Sequence, residues 1–338
     1  MTTALSGTET TRTGAPGPLS YRELELDCTV ERRDAVAEDV VSLLLRPADG
    51  GELPPWTPGA HIDLLLTPSL TRQYSLCGSP AGSDTWRIAV LRDPRSRGGS
   101  NHVHDLLQTG SRVRVRGPRN HFPLVSAERY LFIAGGIGIT PMLPMIEWAV
   151  QAGADWRLLY GGRRRASMAF LDELAAHGDR VEVCPEDERG LLDLAASLGQ
   201  PRDGTLVYCC GPEPLLAAVE ARCASWPAGS LQVERFAAKP QAAEAAADAE
   251  QAFELALQRS GITVTVPPDR SILDICDEAG VSTLASCREG VCGTCEASVL
   301  EGVPDHRDSV LSDAERESGE FMMICVSRCR SPRLVLDL

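Results

Sequence analysis

The sequence predicts a multidomain protein in which an antiparallel β-barrel is followed by an α/β domain with a parallel sheet and by a small α+β domain. Three observations lead to this prediction. The chain has 338 residues, more than a single compact hydrophobic core usually organises. Short apolar runs at strand spacing fill its first third, whereas strands alternate with helical segments after residue 126. An Ala-rich stretch without an apolar face, 237–250, is expected to be a linker to a cysteine-rich end.

The first domain is predicted over residues 21–125. It follows a leader rich in Thr, Gly, Ser and Pro, 1–20, which we expect to be disordered. The short alternating runs of this domain are broken by Pro and Gly, a pattern typical of an antiparallel barrel. The predicted strands are 40–45, 61–66, 86–91 and 112–115.

The second domain is predicted over residues 126–236. An unbroken apolar strand, 130–134, is followed by glycines and by a helical stretch, 141–150. Strand then alternates with helix, which implies a parallel sheet covered on both faces. The later strands of this domain are predicted at 156–160, 180–184 and 205–209.

The third domain is predicted over residues 251–338. Ser271 is expected to cap a helix over Ile272–Glu278, with Asp274 at the capping-box position. Before this helix, the predicted strands are Phe253–Leu257 and Ile262–Val266.

Four cysteines of the third domain have the spacing of a plant-type ferredoxin. Three lie at C-x4-C-x2-C spacing and the fourth lies far downstream. They are Cys287, Cys292, Cys295 and Cys325. Gly290 and Gly293 allow the loop to curl tightly, with its amides near the sulfur atoms. This pattern predicts a two-iron, two-sulfur cluster, which carries one electron at a time.

The choice of the fourth ligand has a competitor, Cys329. Cys325 follows an apolar run, 322–324, as a ligand on a buried element would, and we therefore prefer it. Zinc and disulfides are the alternative interpretations of the cysteines. Structural zinc sites usually pair two C-x2-4-C knuckles, whereas this loop has one.

The compartment follows from the N-terminal residues. Disulfides require an oxidising compartment. Residues 1–18 have neither a basic start nor an apolar core, so no signal peptide is predicted. No run of about 18 apolar residues occurs, so no membrane-spanning segment is predicted. We therefore expect a cytoplasmic protein with reduced thiols.

The charge of the chain bears on its partners. A formal net charge of −14 argues against nucleic acid as a partner. Residues 251–338 contain 15 acidic residues and eight arginines. Such an acidic domain suits docking on a basic patch of an electron acceptor, and solubility alone is an equally good explanation.

A glycine-rich stretch between the strand 130–134 and the following helix is suited to bind a nucleotide. Glycines let the backbone approach a diphosphate, and the helix N-terminus supplies amides and a positive dipole. Proline fits the first turn of the helix. The candidate residues are Gly135, Gly136, Gly138, Thr140 and Pro141.

A second candidate stretch, Cys210, Gly211 and Pro212, ends the predicted strand 205–209. Ligands of parallel sheets bind at this end of the strands, and small residues there leave room for a flat ring. An ordinary strand-to-helix turn is the alternative.

The first domain contains an alternating stretch of Arg, Gln, Tyr and Ser. Arg72 and Tyr74 share one face of a strand, and Arg can hold a phosphate while Tyr packs on a flat ring. Further on, Gly98, Gly99 and Ser100 precede a short helical stretch that can cap a phosphate. An amphipathic strand without a ligand is the alternative.

These motifs, in this order, resemble those of the phthalate dioxygenase reductase family, which includes the vanillate demethylase reductases. The resemblance extends from about residue 21 to the end of the chain. It implies an FMN-binding β-barrel, an NAD-binding α/β domain of ferredoxin-reductase type and a C-terminal β-grasp domain with a plant-type [2Fe–2S] cluster. FMN rather than FAD is implied by the resemblance alone.

The resemblance also implies roles for individual residues. Residues expected at the FMN are Arg72, Gln73, Tyr74, Ser75, Arg92, Gly98, Gly99 and Ser100. Residues expected at the nicotinamide nucleotide are Gly135, Gly136, Gly138, Thr140, Pro141, Cys210, Gly211 and Pro212. Phe236 is expected beside the flavin. The expected catalytic residues are Ser75, Cys210 and Phe236.

The nucleotide itself has two candidates. The family usually prefers NADH, whereas Arg163, Arg164 and Arg165 follow the second parallel strand, where arginines can accept the 2′-phosphate of NADPH. We expect NADH and keep NADPH as the alternative.

The expected activity is that of an NAD(P)H-dependent flavin iron–sulfur oxidoreductase. The resemblance implies electron transfer from NADH through FMN and the cluster to a separate oxygenase protein, foremost a Rieske-type aromatic oxygenase or O-demethylase. A haem-thiolate monooxygenase is the alternative acceptor. A non-enzymatic zinc or redox-sensing protein is a further alternative.

Overall fold

The computed structural model describes residues 24–338 except Ser69, Ser83, Arg95 and 239–250. The predicted leader lies outside the described residues, as does most of the predicted linker. The described residues form two five-stranded sheets, one six-stranded sheet and a two-stranded pair. The predicted multidomain fold is therefore confirmed. No helix of the described part is long and apolar enough to cross a membrane.

The first sheet is antiparallel and has the strand order β4-β3-β6-β1-β2-β5. Its strands and the helix that follows β5 are β1 (Leu24–Ala37), β2 (Val40–Pro47), β3 (His61–Thr67), β4 (Leu70–Ser75), β5 (Trp86–Leu91), α1 (Gly99–Leu106) and β6 (Arg112–Arg119). Alternate residues of the strands, such as Leu43 and Ile62, are buried in one core. The amide of Cys77 donates to the carbonyl of Arg87 at 2.8 Å, which links the two edges of the sheet. The sheet thus curves toward the barrel that the sequence predicts.

The second sheet is parallel throughout, with the strand order β11-β10-β7-β8-β9. Its strands are β7 (Arg129–Gly135), β8 (Asp155–Gly162), β9 (Val181–Pro185), β10 (Thr205–Cys210) and β11 (Leu231–Glu234). The helices around it are α2 (Met142–Gln151), α3 (Leu171–Ala175), α4 (Glu186–Arg189), α5 (Leu194–Leu198) and α6 (Glu213–Cys223). Phe132 and Ile133, which are consecutive in β7, belong to different cores because their side chains point to opposite faces. Both faces are therefore covered, as predicted.

The third sheet mixes one parallel pair, β12 with β18, with antiparallel pairs. Its strand order is β13-β12-β18-β14-β16, and β15 pairs with β17 beside it. These elements and the two helices are β12 (Phe253–Leu257), β13 (Ile262–Val266), α7 (Ile272–Glu278), β14 (Glu296–Glu301), β15 (Pro304–Asp305), α8 (Asp313–Ser318), β16 (Phe321–Met323), β17 (Arg328–Cys329) and β18 (Arg333–Leu336). The hydroxyl of Ser271 accepts a hydrogen bond from the amide of Asp274 at 3.0 Å, so the predicted cap of α7 is present.

Candidate functional site

The four predicted cluster ligands come together in the structure. We call residues 284–295 the cluster loop. It contains three of the cysteines, and the fourth follows β16. The thiol of Cys287 interacts with those of Cys292 and Cys325, and Cys325 interacts with Cys295. Arg288, Gly290 and Gly293 have positive φ angles of 55°, 68° and 73°, which turn the loop around the thiols. Cys329 lies apart, with its sulfur 3.0 Å from the hydroxyl of Ser331.

The thiols fit a bound cluster chemically. The hydrogen bond with Cys287 and burial raise the pKa of Cys292 well above its ordinary range. The bond to Cys287 lowers the pKa of Cys325, but the contact with Cys295 and burial outweigh it and raise the value to about 12. A positively charged centre is needed to displace these protons. Four cysteines are the usual donor set of a [2Fe–2S] cluster. Within the described ranges, no group of three or more His, Cys, Asp or Glu side chains is arranged to hold a single metal ion.

The predicted flavin residues lie on β4, at the edge of the first sheet. Arg72 and Tyr74 stand opposite core residues of β3, whereas Gln73 and Ser75 stand opposite Asp63 and His61. The Nε2 atom of Gln73 and the hydroxyl of Ser75 are buried and have no hydrogen-bond partner among the described residues. Buried polar atoms usually have partners, so these two fit the polar edge of a bound flavin ring.

A second part of the flavin site is formed by Arg72 and the start of α1. Gly98 has a φ of 91° and precedes the helix, and a Cβ atom at Gly99 would lie only 2.4 Å from Cγ of Arg72. The Nη2 atom of Arg72 donates to the carbonyl of Arg97 at 3.1 Å. Burial and the charge of Arg97 lower the pKa of Arg72. A phosphate would relieve the repulsion between these guanidinium groups, so the arrangement fits the phosphate of FMN.

Two other predicted flavin residues are engaged by the protein. Arg92 forms an ion pair with Asp105 of α1. The hydroxyl of Ser100 accepts a hydrogen bond from the amide of Asp93 at 3.1 Å. The structure therefore places Arg92 beside α1 and Ser100 in its first turn, each with a partner of its own.

The two predicted nucleotide stretches meet at the carboxyl ends of β7 and β10. The glycine-rich stretch forms a 3-10 turn, Gly136–Ile139, and Pro141 with a φ of −69° precedes α2. A Cβ atom at Gly138 would lie 2.2 Å from the carbonyl oxygen of Cys210, so only glycine allows this contact. The hydroxyl of Thr140 donates to the carbonyl of Ile137 at 3.0 Å and closes the turn. The strand order reverses between β7 and β10, which is where ligands bind in open α/β sheets.

Gly135 and Gly211 show how closely the two stretches pack. A Cβ atom at Gly135 would lie 2.6 Å from Cδ of Pro212, and one at Gly211 would lie 3.0 Å from the backbone of Gly135. Gly136 has a φ of 55°, a conformation that glycine adopts most easily. The absence of side chains at Gly135 and Gly211 thus lets the two stretches pack backbone against backbone.

Cys210 has a partner that the sequence did not single out. Its thiol, which is fully buried, donates to Oε2 of Glu234 at 3.9 Å. Desolvation raises the pKa of the half-buried Glu234 to about 8, although its bond with Cys210 acts in the opposite direction. The parallel register of β10 and β11 pairs these two residues directly. The pairing of the two strands, and not a local sequence pattern, therefore indicates their contact. Phe236 follows β11 and is 43% exposed.

Several residues that sequence reasoning missed connect the cluster loop to the first sheet. The hydroxyl of Ser286 donates to Asp63 at 2.8 Å, and Arg97 pairs with Glu289 at 2.7 Å. A Cβ atom at Gly293 would lie 2.7 Å from the ring of His121. No local pattern marks these residues, because their partners are far away in the sequence.

A cavity of about 590 Å³ lies elsewhere in the described part of the chain. It is formed by the loop after β4, by α2 and by α3, and its lining includes Ser79, Arg87, Glu147 and His177. None of the predicted flavin, nucleotide or cluster residues lines it. We therefore take β4 with the cluster loop, together with the carboxyl ends of β7 and β10, as the candidate site.

Known proteins support this assignment. Residues 132–221 match the family described as oxidoreductase NAD-binding domain, and residues 255–330 match that described as 2Fe-2S iron-sulfur cluster binding domain. The chain is 46% identical over 304 residues to phenoxybenzoate dioxygenase subunit beta of Ectopseudomonas oleovorans, with 89% of this chain and 94% of the relative covered.

Two solved structures are also similar. Phthalate dioxygenase reductase, described as a modular structure for electron transfer from pyridine nucleotides to [2Fe-2S], is 35% identical with a TM-score of 0.68, and 93% of this chain and 98% of that chain are covered. An intact type IV self-sufficient cytochrome P450 monooxygenase is 44% identical with a TM-score of 0.86 over 93% of this chain. This chain spans only 41% of the length of that monooxygenase.

Proposed function

This chain belongs to the phthalate dioxygenase reductase family, and we propose that three of its parts form one electron-transfer route to a Rieske-type oxygenase. These parts are β4, the 3-10 turn Gly136–Ile139, which we call the glycine turn, and the cluster loop. The chain is an NAD-dependent oxidoreductase of the kind that serves oxygenase systems, and its cofactors are FMN, NADH and a [2Fe–2S] cluster. When bound, FMN would supply the change from two-electron hydride chemistry to the one-electron transfer that a cluster requires. The observation that carries the proposal is the direct packing of the cluster loop on the sheet that contains β4. We keep 21–125, 126–236 and 251–338 as the proposed domain bounds.

In this proposal, β4 and α1 hold the flavin. Arg72 and the amides at Gly99 and Ser100 hold the phosphate, while Tyr74 packs on the ring. The unpartnered side chains of Gln73 and Ser75 support hydrogen bonds to the ring edge. Replacing Arg72 with Ala is expected to loosen FMN.

The glycine turn and the end of β10 hold the nucleotide. Cys210 and Gly211 lie beside the nicotinamide ring in this proposal, and Phe236 lies at the flavin. Because their pKa values are raised, Cys210 and Glu234 keep their protons near neutral pH. The pocket wall is thus uncharged. An uncharged wall favours the neutral, reduced nicotinamide ring over the positively charged, oxidised one.

The basic stretch after β8 supports NADH over NADPH. Arg164 pairs with Glu38 at 2.9 Å, and Arg165 pairs with Glu188 at 2.7 Å. Two of the three guanidinium groups therefore have carboxylate partners, which would also repel a 2′-phosphate.

The identity of the electron acceptor is the most specific part of the proposal. The similarity to a dioxygenase subunit and to phthalate dioxygenase reductase favours a Rieske-type partner. The high structural similarity to the P450 monooxygenase supports a haem-thiolate enzyme as a second candidate.

We place the chain in the cytoplasm, because none of its 12 cysteines is in a disulfide and reduced thiols fit that compartment.

The test is an anaerobic titration of the purified protein with NADH and, separately, with NADPH. We expect NADH to bleach the flavin bands and to produce the paramagnetic resonance signal of a reduced two-iron cluster. A protein that binds metal without this signal would support the zinc alternative. A Rieske-type oxygenase and a haem-thiolate oxygenase are then added separately to the reduced protein. The acceptor is the oxygenase that reoxidises the cluster.

A further inference from the structure

We propose that three side chains hold the cluster loop on the first sheet and thereby set its position relative to β4. They are Asp63, Arg116 and Arg119, which we call the Asp63 dock. These are positioning residues rather than catalytic ones. The Asp63 dock is separate from the flavin, nucleotide and cluster residues assigned above.

The Asp63 dock is a buried ion-pair network. The side chain of Asp63, on β3, is fully buried. The Nε and Nη2 atoms of Arg116 donate to its Oδ2 at 3.0 and 2.9 Å, and Nη2 of Arg119 donates to its Oδ1 at 2.6 Å. Both oxygens of the carboxylate are therefore occupied by charged donors, which make stronger hydrogen bonds than neutral ones.

An irregularity in β6 brings both arginines to the same carboxylate. The register pairs Asp63 with Arg116 but His61 with Arg119, so β6 has one more residue than β3 between these pairs. A bulge of this kind re-aims side chains locally. Arg116 and Arg119 consequently reach Asp63 from two directions.

Two hydrogen bonds cross from the Asp63 dock to the cluster loop. The hydroxyl of Ser286 donates to Oδ1 of Asp63 at 2.8 Å, and Nη2 of Arg116 donates to the carbonyl of Ala285 at 2.9 Å. Ser286 is 9% exposed and directly precedes Cys287, the first cluster ligand. The bonds therefore act on the backbone that presents the first thiolate.

The composition of the Asp63 dock argues for a positioning role. Burying ion pairs costs desolvation free energy, and apolar residues often stabilise a core equally well. Here two guanidinium groups share one carboxylate, and the carbonyl of Ala285 accepts one of the remaining donors. The network thus uses the cluster loop to satisfy its own polar groups.

Two further contacts limit rotation of the cluster loop about the Asp63 dock. Arg97 pairs with Glu289 at 2.7 Å on one side. On the other side, Gly293 packs against His121 so closely that a side chain would not fit. Contacts before, between and after the first two cysteines of the loop therefore restrain it.

The register connects the Asp63 dock to the flavin strand. Asp63 stands directly opposite Gln73, and its neighbour His61 stands opposite Ser75. The rate of electron transfer between two carriers falls as the distance between them grows. Loosening the Asp63 dock is therefore expected to slow transfer from flavin to cluster. This kinetic consequence rests on the proposed function, whereas the docking itself does not.

The experiment compares Ser286→Ala with Ser282→Ala in the full holoprotein. Ser282 is exposed in the segment just before the cluster loop and serves as the matched control. Loss of one hydrogen bond is expected to accelerate amide hydrogen exchange of peptides covering 283–290 and 116–121 about fivefold. Stopped-flow absorbance then separates flavin reduction by NADH, which should not change, from the slower appearance of reduced cluster.

Asp63→Asn provides the second variant, with FMN content and thermal unfolding as checks of its fold. In this background, adding Ser286→Ala should change exchange little, because the crossing bond has already lost its charged acceptor. Equal exchange and equal cluster reduction in the Ser286→Ala and Ser282→Ala proteins would overturn the proposal. Faster exchange in a protein whose cluster is never reduced by NADH would support the docking and count against the proposed function.

Discussion

Two cysteines only four residues apart, Cys325 and Cys329, have different surroundings. The thiol of Cys325 interacts with Cys287 and Cys295, whereas that of Cys329 contacts Ser331. The apolar run before Cys325 favours it as the fourth ligand, and the structure places it among the other three thiols. At the scale of single residues, burial separates the ligand from the spare thiol.

Replacing Cys292 with Ser is expected to abolish reduction of acceptors that depend on the cluster, because one of four thiolates is lost. NADH-driven reduction of ferricyanide should largely persist, since the flavin can reduce it directly. The measurement is steady-state activity with both acceptors together with iron content. Cys329→Ser is the matched control and should retain the cluster. Equal loss of both activities in Cys292→Ser would contradict the assigned order of carriers.

Glu234 is expected to make the unfolding free energy depend on pH. Its pKa is raised from about 4.5 to about 8, so the folded protein retains a proton that the unfolded chain releases. The unfolding free energy should therefore fall as the pH rises through this window and level off above it. Glu234→Gln removes this dependence, and urea unfolding at several pH values measures it.

Glu182→Gln, which changes an exposed carboxyl group of the same sheet, is the control for this experiment. An unchanged pH slope in Glu234→Gln would show that the raised pKa does not contribute to stability.

Elements are recognised from the sequence where the pattern is local. The strands Phe253–Leu257 and Ile262–Val266 and the helix Ile272–Glu278 have the predicted bounds. The longest strand, β1, was not predicted. Its first seven residues alternate apolar and polar side chains, whereas its second half is mostly charged, and only Cys28 and Val30 of its 14 residues are buried.

The turn between β7 and α2 is expected to require glycine at position 138. In Gly138→Ala the new methyl group would lie 2.2 Å from the carbonyl oxygen of Cys210, which backbone movement must relieve. We expect a loss of about 1–3 kcal/mol in unfolding free energy and a higher KM for NADH. Denaturant unfolding and steady-state kinetics measure these changes.

Gly82→Ala is the control for the turn, because its nearest neighbouring atom lies 4.0 Å away and its φ is not in the left-handed region. If both variants were equally stable and had the same KM, the close approach of the turn to β10 would be unimportant.

At the scale of the whole molecule, the charge is uneven and the parts are joined by specific polar contacts. Residues 251–338 carry 15 acidic residues and eight arginines, and some of the arginines are engaged within this part, as in the pairs of Arg288 with Asp274 and Asp277. Arg97 and Arg116 reach this part from the first sheet. The acidic surface and the internal connection are thus separate features.

The acidic surface is expected to attract basic electron acceptors. Reduction of a basic haem protein such as cytochrome c should slow several-fold when the ionic strength rises from about 0.01 M to about 0.5 M, because salt screens attraction. Reduction of ferricyanide, an anion, should change in the opposite direction. Rates with cytochrome c that do not depend on salt would leave solubility as the role of the acidic residues.

The sequence by itself determined the order of the three parts, the cysteine spacing and the glycine turn, because each is a pattern within a short stretch of chain. It also contained the candidate flavin and nucleotide residues, and the structure brings the two nucleotide stretches together. Only the tertiary structure decided that Glu234 meets Cys210 and that Asp63 meets Ser286. The latter two residues are 223 positions apart, and no local pattern encodes which buried polar groups satisfy one another across such a distance.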